Sequence, residues 1–207
     1  TYSWAPSGGT SATATGLTAG NYTCTITDGA STTITKNFTI TQPTFLSVTA
    51  ASQTNLSCNG GSNGAASINT PTGGTAPYSY NWTPGTPTGD GTRTVTGLVA
   101  GTWTCTVTDA NSCTATQSFT LTQPSALSVT AGSQTNVSCN GGSNGSATVS
   151  ATGGSSGYTY SWSPSGGTSA TATGLSAGTY ICTVTDINGC TATRSFTITQ
   201  PAALSVT

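Results

Sequence analysis

Seven cysteines and four aspartates are the residues of this 207-residue chain best equipped for covalent or acid–base chemistry, and it has no histidine and no glutamate. General acid–base catalysis, Ser/His/Asp and Cys/His nucleophiles and histidine-built zinc sites therefore lack their usual residues. No enzyme and no cofactor is expected. The cysteines recur in order: Cys24 alone, then Cys58, Cys105 and Cys113, then Cys139, Cys182 and Cys190. Asp28, Asp109 and Asp186 each follow a Val/Ile-Thr pair and occupy one repeated position. They read as turn residues bonding their own backbone, since a calcium site needs several carboxylates around one ion. Asp90-Gly91 reads as another turn.

Two further groups invite recognition chemistry. Tyr78/Tyr80/Trp82 and Tyr158/Tyr160/Trp162 could stack on sugars, but their strict alternation with polar residues marks them as core. Six Asn-x-Ser/Thr triplets, at Asn21, Asn37, Asn55, Asn81, Asn136 and Asn144, are candidate glycosylation sites in a chain where 49 Thr and 28 Ser make such triplets common. Exposed hydroxyls are candidates for O-glycans. Lys36, Arg93 and Arg194 are the only cations, and charged residues make up 3% of the chain. A typical soluble domain has roughly 25%. Three scattered cations cannot hold a phosphate backbone, so no nucleic-acid partner is expected. No apolar run is long enough for a membrane span. No basic stretch followed by an apolar run opens the chain, so no signal peptide is read here.

The elements that position these residues repeat. Trp4–Leu17 (WAPSGGTSATATGL) and Trp162–Leu175 (WSPSGGTSATATGL) differ at one position of 14. Ser52–Ala66 and Ser133–Ala147 match at 13 of 15. Cys58 and Cys139 lie 81 residues apart, and Pro124 and Pro201 lie 77 apart. The difference falls mainly in Trp82–Leu98, three residues longer than Trp162–Leu175. Each repeat closes on Thr-Gln-Pro (Thr41–Pro43, Thr122–Pro124, Thr199–Pro201), where proline stops a ladder and stiffens a linker. The expected organisation is the C-terminal half of one repeat at 1–43, complete repeats at 44–124 and 125–201, and the first strand of another at 202–207. We call the first three units one, two and three. Because both ends fall inside expected strands, a longer tandem chain is expected.

Thr alternating with apolar residues, punctuated by 27 Gly and 9 Pro, predicts an all-β protein. In unit three the expected strands are 126–131, 135–139, 145–151, 158–163, 169–175, 179–186 and 190–199. Tyr180, Cys182 and Val184 share one face and Thr179, Thr183 and Thr185 the other, the pattern of a half-buried sheet in a sandwich. Seven alternating strands put the termini at opposite ends, so seven-stranded immunoglobulin-like sandwiches should stack end to end. Each would be ~35–45 Å long at ~3.3 Å per strand residue.

Cysteine pairing follows from strand direction. If seven strands alternate, Cys139 ends the second and Cys190 begins the seventh, at the same end. The first reading is therefore Cys58–Cys113 and Cys139–Cys190, each closing a loop of roughly 50 residues worth ~4 kcal/mol in the chain-entropy model. The second is Cys58–Cys105 and Cys139–Cys182, a bridge between sheets supported by the Tyr180-Ile181-Cys182 spacing and by Cys24, whose unit has Thr32 at the third cysteine position. Under the first reading Cys24, Cys105 and Cys182 are core thiols, with a cross-link between chains as the sharper alternative.

The motifs SCNGGSNG, TGG before Tyr-x-Tyr-x-Trp, L-x-AG-x-Y, VTD with NGC, and TITQP in Ser138–Trp162 and Gly174–Pro201 resemble the SprB-type repeat of Bacteroidetes surface adhesins. The likeness extends to shortened polycystic-kidney-disease (PKD-like) sandwiches. The resemblance implies a secreted surface protein that serves attachment or gliding motility and is exported by the type IX system. It also implies a pair between the SCN and NGC cysteines. The extra cysteine on the sixth strand and the missing NGC in unit one depart from it. The resulting expectation is an extracellular, cell-surface structural segment of a filament or adhesin stalk. Its expected partners are neighbouring repeats, identical chains in a fibre and surface glycans. The alternative is a glycan- or protein-binding module using sandwich-end loops, above all the inserted loop Thr83–Gly91.

Overall fold

A computed structural model describes residues 1–206. The described residues are all β and loop: fifteen strands, no helix. Units two and three are each a pair of three-stranded antiparallel sheets, an immunoglobulin-like sandwich repeated in tandem. In unit two, β4 (Ala50–Thr54), β5 (Gly64–Ile68) and β7 (Thr94–Leu98) face β6 (Ser79–Thr83), β8 (Gly101–Thr108) and β9 (Thr114–Leu121). In unit three, β10 (Ser128–Thr135), β11 (Gly145–Thr152) and β13 (Thr171–Leu175) face β12 (Thr159–Ser163), β14 (Gly178–Thr185) and β15 (Thr191–Ile198). Unit one has a single sheet, β1 (Tyr2–Ala5), β2 (Gly20–Thr27) and β3 (Thr33–Ile40).

The alternation does what period-2 patterning requires. Tyr180, Cys182 and Val184 point inward with Trp162, Phe196 and Ile198, while Thr179, Ile181, Thr183 and Thr185 face out. Unit two repeats this with Trp82, Trp103, Cys105, Val107, Phe119 and Leu121. Each central tryptophan packs tilted on the phenylalanine of the last strand, at 5.6 Å between ring centroids in both units. Tyr78, Tyr80, Tyr158 and Tyr160 pack half-buried against these cores, as expected for core stripes.

Six strands form unit three, where seven were expected. The first two expected strands are one strand, β10, whose register against β11 shifts between Ala131 and Gln134. The Gly132-Ser133 pair therefore makes a bulge, not a reversal, and Gly132 does not adopt the positive φ of a tight turn. Beyond the bulge Gln134 and Thr135 still pair with β11, and the chain then turns to β15: the Gln134 side chain donates to the Thr197 carbonyl and the Val137 amide to the Thr199 carbonyl. The termini still leave from opposite ends, because β12 and β13 run the same way. The 164–170 connection crosses between sheets without reversing.

The expected strand at 202–207 does not form over 202–206, and Thr207 lies outside the described residues. A strand needs a ladder partner, and Leu204 and Val206 have none and stand fully exposed. The equivalent leucine of unit two, Leu46, is 4% exposed, covered by its own sandwich beside a bridge between Ser47 and Thr72.

Candidate functional site

Cys58 and Cys190 form a disulfide across the joint between units two and three, with their Cα atoms 5.8 Å apart. This corrects both expected pairings. Cys58 is bonded to neither Cys113 nor Cys105, and Cys190 is not bonded to Cys139. Cys113 and Cys139 are exposed thiols. The physical reason is chain direction. With β10 a single strand, Cys139 lies at the exit end of its sandwich and Cys190 at the entry end, a sandwich length apart. Units two and three thus each offer one cysteine at each end, too far apart to bond within a unit, and the bridge forms between the two units.

Hydrogen bonds fix the two halves of the joint. At the exit end of unit two, the Asn59 side chain donates to the Pro124 carbonyl at 2.9 Å and the Gly60 amide to Gln123 Oε1 at 2.8 Å. The Asn63 carboxamide accepts from the Ser57 amide and donates to the Ser57 hydroxyl. The Thr-Gln-Pro motif is therefore also a dock for the SCNGG loop, a role that its reading as a mere junction missed.

At the entry end of unit three, Asp186 organises the receiving turn. One carboxylate oxygen accepts the amides of Asn188 and Cys190, both at 2.9 Å, and the other accepts that of Ser155. The Ser155 amide, against burial, and then the Cys190 and Asn188 amides hold the carboxyl below the usual carboxylate range. Asp109 has the same arrangement with Asn111, Cys113 and Thr75. Burial there pushes the carboxyl up, but the Thr75, Cys113 and Asn111 amides outweigh it, so it too sits low. Gly153 completes the receiver, since a Cβ there would run into the Ala126 carbonyl oxygen and its φ is +75°. Across the joint, the Asn188 side chain donates to the Ser57 carbonyl at 3.0 Å and to the Ser155 hydroxyl at 2.8 Å. The aspartates are the expected turn residues; their third bond, to the TGG loop, was not foreseen.

Cys24, Cys105 and Cys182 are buried thiols on the inward faces of β2, β8 and β14. Burial, helped by Asp90, pushes Cys105 up to about 11 against the opposing Asn81 bond. Burial also raises Cys182. Neutral, enclosed thiols are poor nucleophiles.

The six sequon asparagines are all exposed. Asn21 and Asn37 accept from the Thr39 and Thr23 hydroxyls on the outer face of β2 and β3. Asn55 and Asn136 cap the last strands through the Thr122 and Thr199 amides. Asn144 bonds Ser138 within the SCN loop. Asn81 lies on the outer side of β6.

The inserted loop Thr83–Gly91 folds onto its own sandwich. Asp90 accepts the Trp82 amide, and the Thr96 amide donates to the Thr88 carbonyl. In units one and three a glycine carbonyl, of Gly9 or Gly167, takes the tryptophan amide instead.

The family model described as the SprB repeat matches residues 50–87 and 131–167, and both segments are similar to SprB-type repeats. No curated protein matches the chain. Among solved structures it is similar to the three N-terminal domains of the Highly Immunogenic Outer Capsid protein of bacteriophage RB49, at 16% identity and TM-score 0.40, over 75% of this chain and 59% of that one. It is also similar to the N-terminal eight Ig domains of Down Syndrome Cell Adhesion Molecule isoform 1.30.30, at 14% identity and TM-score 0.43, over 88% of this chain and 28% of that one. A third is the C-terminal 282-residue fragment of intimin bound to the intimin-binding domain of its translocated receptor, at 14% identity and TM-score 0.33, over 86% and 57% of the chains. The chain spans less than two thirds of the length of each of these structures.

Proposed function

We propose that these SprB-type repeats form a structural segment of an extracellular filament or adhesin stalk, non-catalytic, that holds a distal part away from the cell surface for attachment or gliding. The observation that carries this reading is the joint. Consecutive sandwiches are linked end to end by a proline-containing linker, docked side chains and the Cys58–Cys190 bridge. An oxidised bridge suits an extracellular compartment. A 132-residue closure is worth about 5 kcal/mol in the chain-entropy model, and a second covalent connection restricts bending at the joint. The near absence of charge also suits close packing against identical chains, since few ions need desolvating. Neighbouring repeats and parallel copies in a fibre are the proposed partners.

Electron microscopy of the native filament tests the reading. The expected image is a row of beads about 40 Å apart along a fibre. Isolated globular particles with tight affinity for a glycan would refute it.

One feature favours a second reading, a binding module. The Thr83–Gly91 loop differs between units that otherwise repeat their turns, and surface glycans are the ligand class it would meet. Glycan-array binding that disappears when the loop is replaced by its unit-three counterpart would support this role.

A further inference from the structure

The Cys58–Cys190 joint is present once, yet the chain carries one more copy of each half. Cys139 sits in a loop built like that of Cys58. Its Asn140 side chain donates to the Pro201 carbonyl, the Gly141 amide to Gln200 Oε1, and the Gly142 amide to the Cys139 carbonyl. Asn144 holds Ser138 as Asn63 holds Ser57. Cys113 sits in a turn built like that of Cys190, with Asp109 in place of Asp186 and Asn111 in place of Asn188. Both halves keep the hydrogen bonds that frame the bridged joint, and both thiols are exposed.

Each open half also carries a cavity. Pro43, Phe45, Leu46, Asp109, Asn111 and Cys113 line one of about 420 Å³ at the entry end of unit two. Ser138, Cys139, Asn140, Pro201 and Leu204 line one of about 460 Å³ at the exit end of unit three. Among the unit-three counterparts of the first set (Pro124, Asp186, Asn188, Cys190), Asn188 and Cys190 receive Ser57 and Cys58, and Asp186 holds the turn that carries them. Asn111 bonds the Thr75 hydroxyl, as Asn188 bonds that of Ser155, but among the described residues it has no acceptor across a joint.

We infer that Cys139 and Cys113 are the two open halves of this same joint. Cys139 bonds the cysteine of an Asp-x-Asn-Gly-Cys turn in a following repeat of this type. Cys113 bonds the cysteine of a Ser-Cys-Asn-Gly-Gly loop in a preceding one. Each repeat is then bridged to both neighbours, never to itself. Forming each bond removes two thiol protons and two electrons. A disulfide of a thiol–disulfide oxidoreductase, or a low-molecular-weight disulfide, accepts them and is reduced to two thiols. Unit one marks a break in such a ladder, because Thr32 stands where Cys113 and Cys190 stand and cannot bond a preceding loop. The inference rests on the observed joint and does not require the stalk role.

The test lengthens the full chain by one repeat. A second copy of residues 131–201 is placed after Thr207, so that 202–207 serve as its opening residues. After oxidation with glutathione disulfide, non-reducing peptide mapping should show Cys58–Cys190 and a new peptide joining Cys139 to the added cysteine that corresponds to Cys190. Alkylation of Cys139 should fall at least tenfold from its level in the unextended chain, while Cys113 stays open. A control carrying threonine at the added turn cysteine, as at Thr32, should restore full alkylation of Cys139 with an unchanged circular dichroism spectrum. A Cys139–Cys113 peptide, undiminished alkylation of Cys139, or loss of Cys58–Cys190 in the extended chain would overturn the inference.

Discussion

Thr13–Leu17 and Thr171–Leu175 are the same pentapeptide, Thr-Ala-Thr-Gly-Leu, in two settings. In unit three it is strand β13, paired with β11, with Leu175 1% exposed. In unit one it forms no strand, and Leu17 is half-exposed. The stretches from tryptophan to leucine that hold it differ only at Ala5 against Ser163. In unit one no strand stands in the place of β11, and the face opposite is open: Phe38 is 42% exposed where its counterpart Phe196 is 4%. The ladder partner and the facing sheet make this segment a strand; its own propensity does not. The β2–β3 hairpin, in contrast, forms fully in unit one because both its strands are present.

Supplying the missing sheet should break the contrast most completely. Residues 125–158 fused ahead of Thr1 provide counterparts of β10 and β11. Amide-exchange protection of Thr13–Leu17 should then rise about a hundredfold, toward that of Thr171–Leu175. Unchanged exchange would mean that the pentapeptide's own context, not the partner, keeps it irregular. Trp162→Ala comes next. It empties a closed core and should cost about 3–5 kcal/mol in unit three, whereas Trp4→Ala on the open sheet should cost roughly 1 kcal/mol. Amide exchange in β14 and β2 reads the two separately.

The joints offer a second contrast. The joint of units two and three is stapled by Cys58–Cys190, and the described chain has no such bridge between units one and two. Small-angle scattering of the oxidised chain should report one stiff and one looser joint, and reduction should widen the distribution of overall lengths while both cores persist.

The effect of pH should be smaller. The Asp109 and Asp186 carboxyls sit below their ordinary range. A carboxyl depressed in the folded state stabilises above its unfolded value and loses that contribution as pH falls through the folded one. Units two and three should thus weaken as pH drops below about 4. Asp186→Asn should flatten that slope in unit three, as read from thermal melts in an acid series. Smallest is Ser112→Gly. Ser112 holds φ +66° where unit three has Gly189 at +82°. Relieving a left-handed non-glycine residue should gain about 0.5 kcal/mol after glycine's own entropy cost, seen as a small rise in the unit-two melting temperature.

Much of the sandwich is legible in the chain. Alternation alone places Tyr180, Cys182 and Val184 inward and reads Tyr158/Tyr160/Trp162 as core. The disulfide is not legible, because it depends on chain direction, which hinges on Gly132-Ser133. A glycine and a serine between two apolar runs read equally as a hairpin or as a bulge. Choosing the hairpin reverses the expected direction of β11 and β12 and moves Cys139 to the wrong pole of its unit, while the unforeseen 164–170 crossover restores the direction from β13 on. Asp186 is legible as a turn residue, but its bond to Ser155 joins positions 31 residues apart, beyond any local signal.

The Cys58–Cys190 bridge also has a mechanical consequence. When the chain is pulled from its ends, load passes from Cys58 directly to Cys190 and bypasses the 132-residue interval between them. Fully stretched, that interval would add about 450 Å of contour length. The oxidised chain keeps this length in reserve even if both sandwiches unravel, and only a reductant releases it.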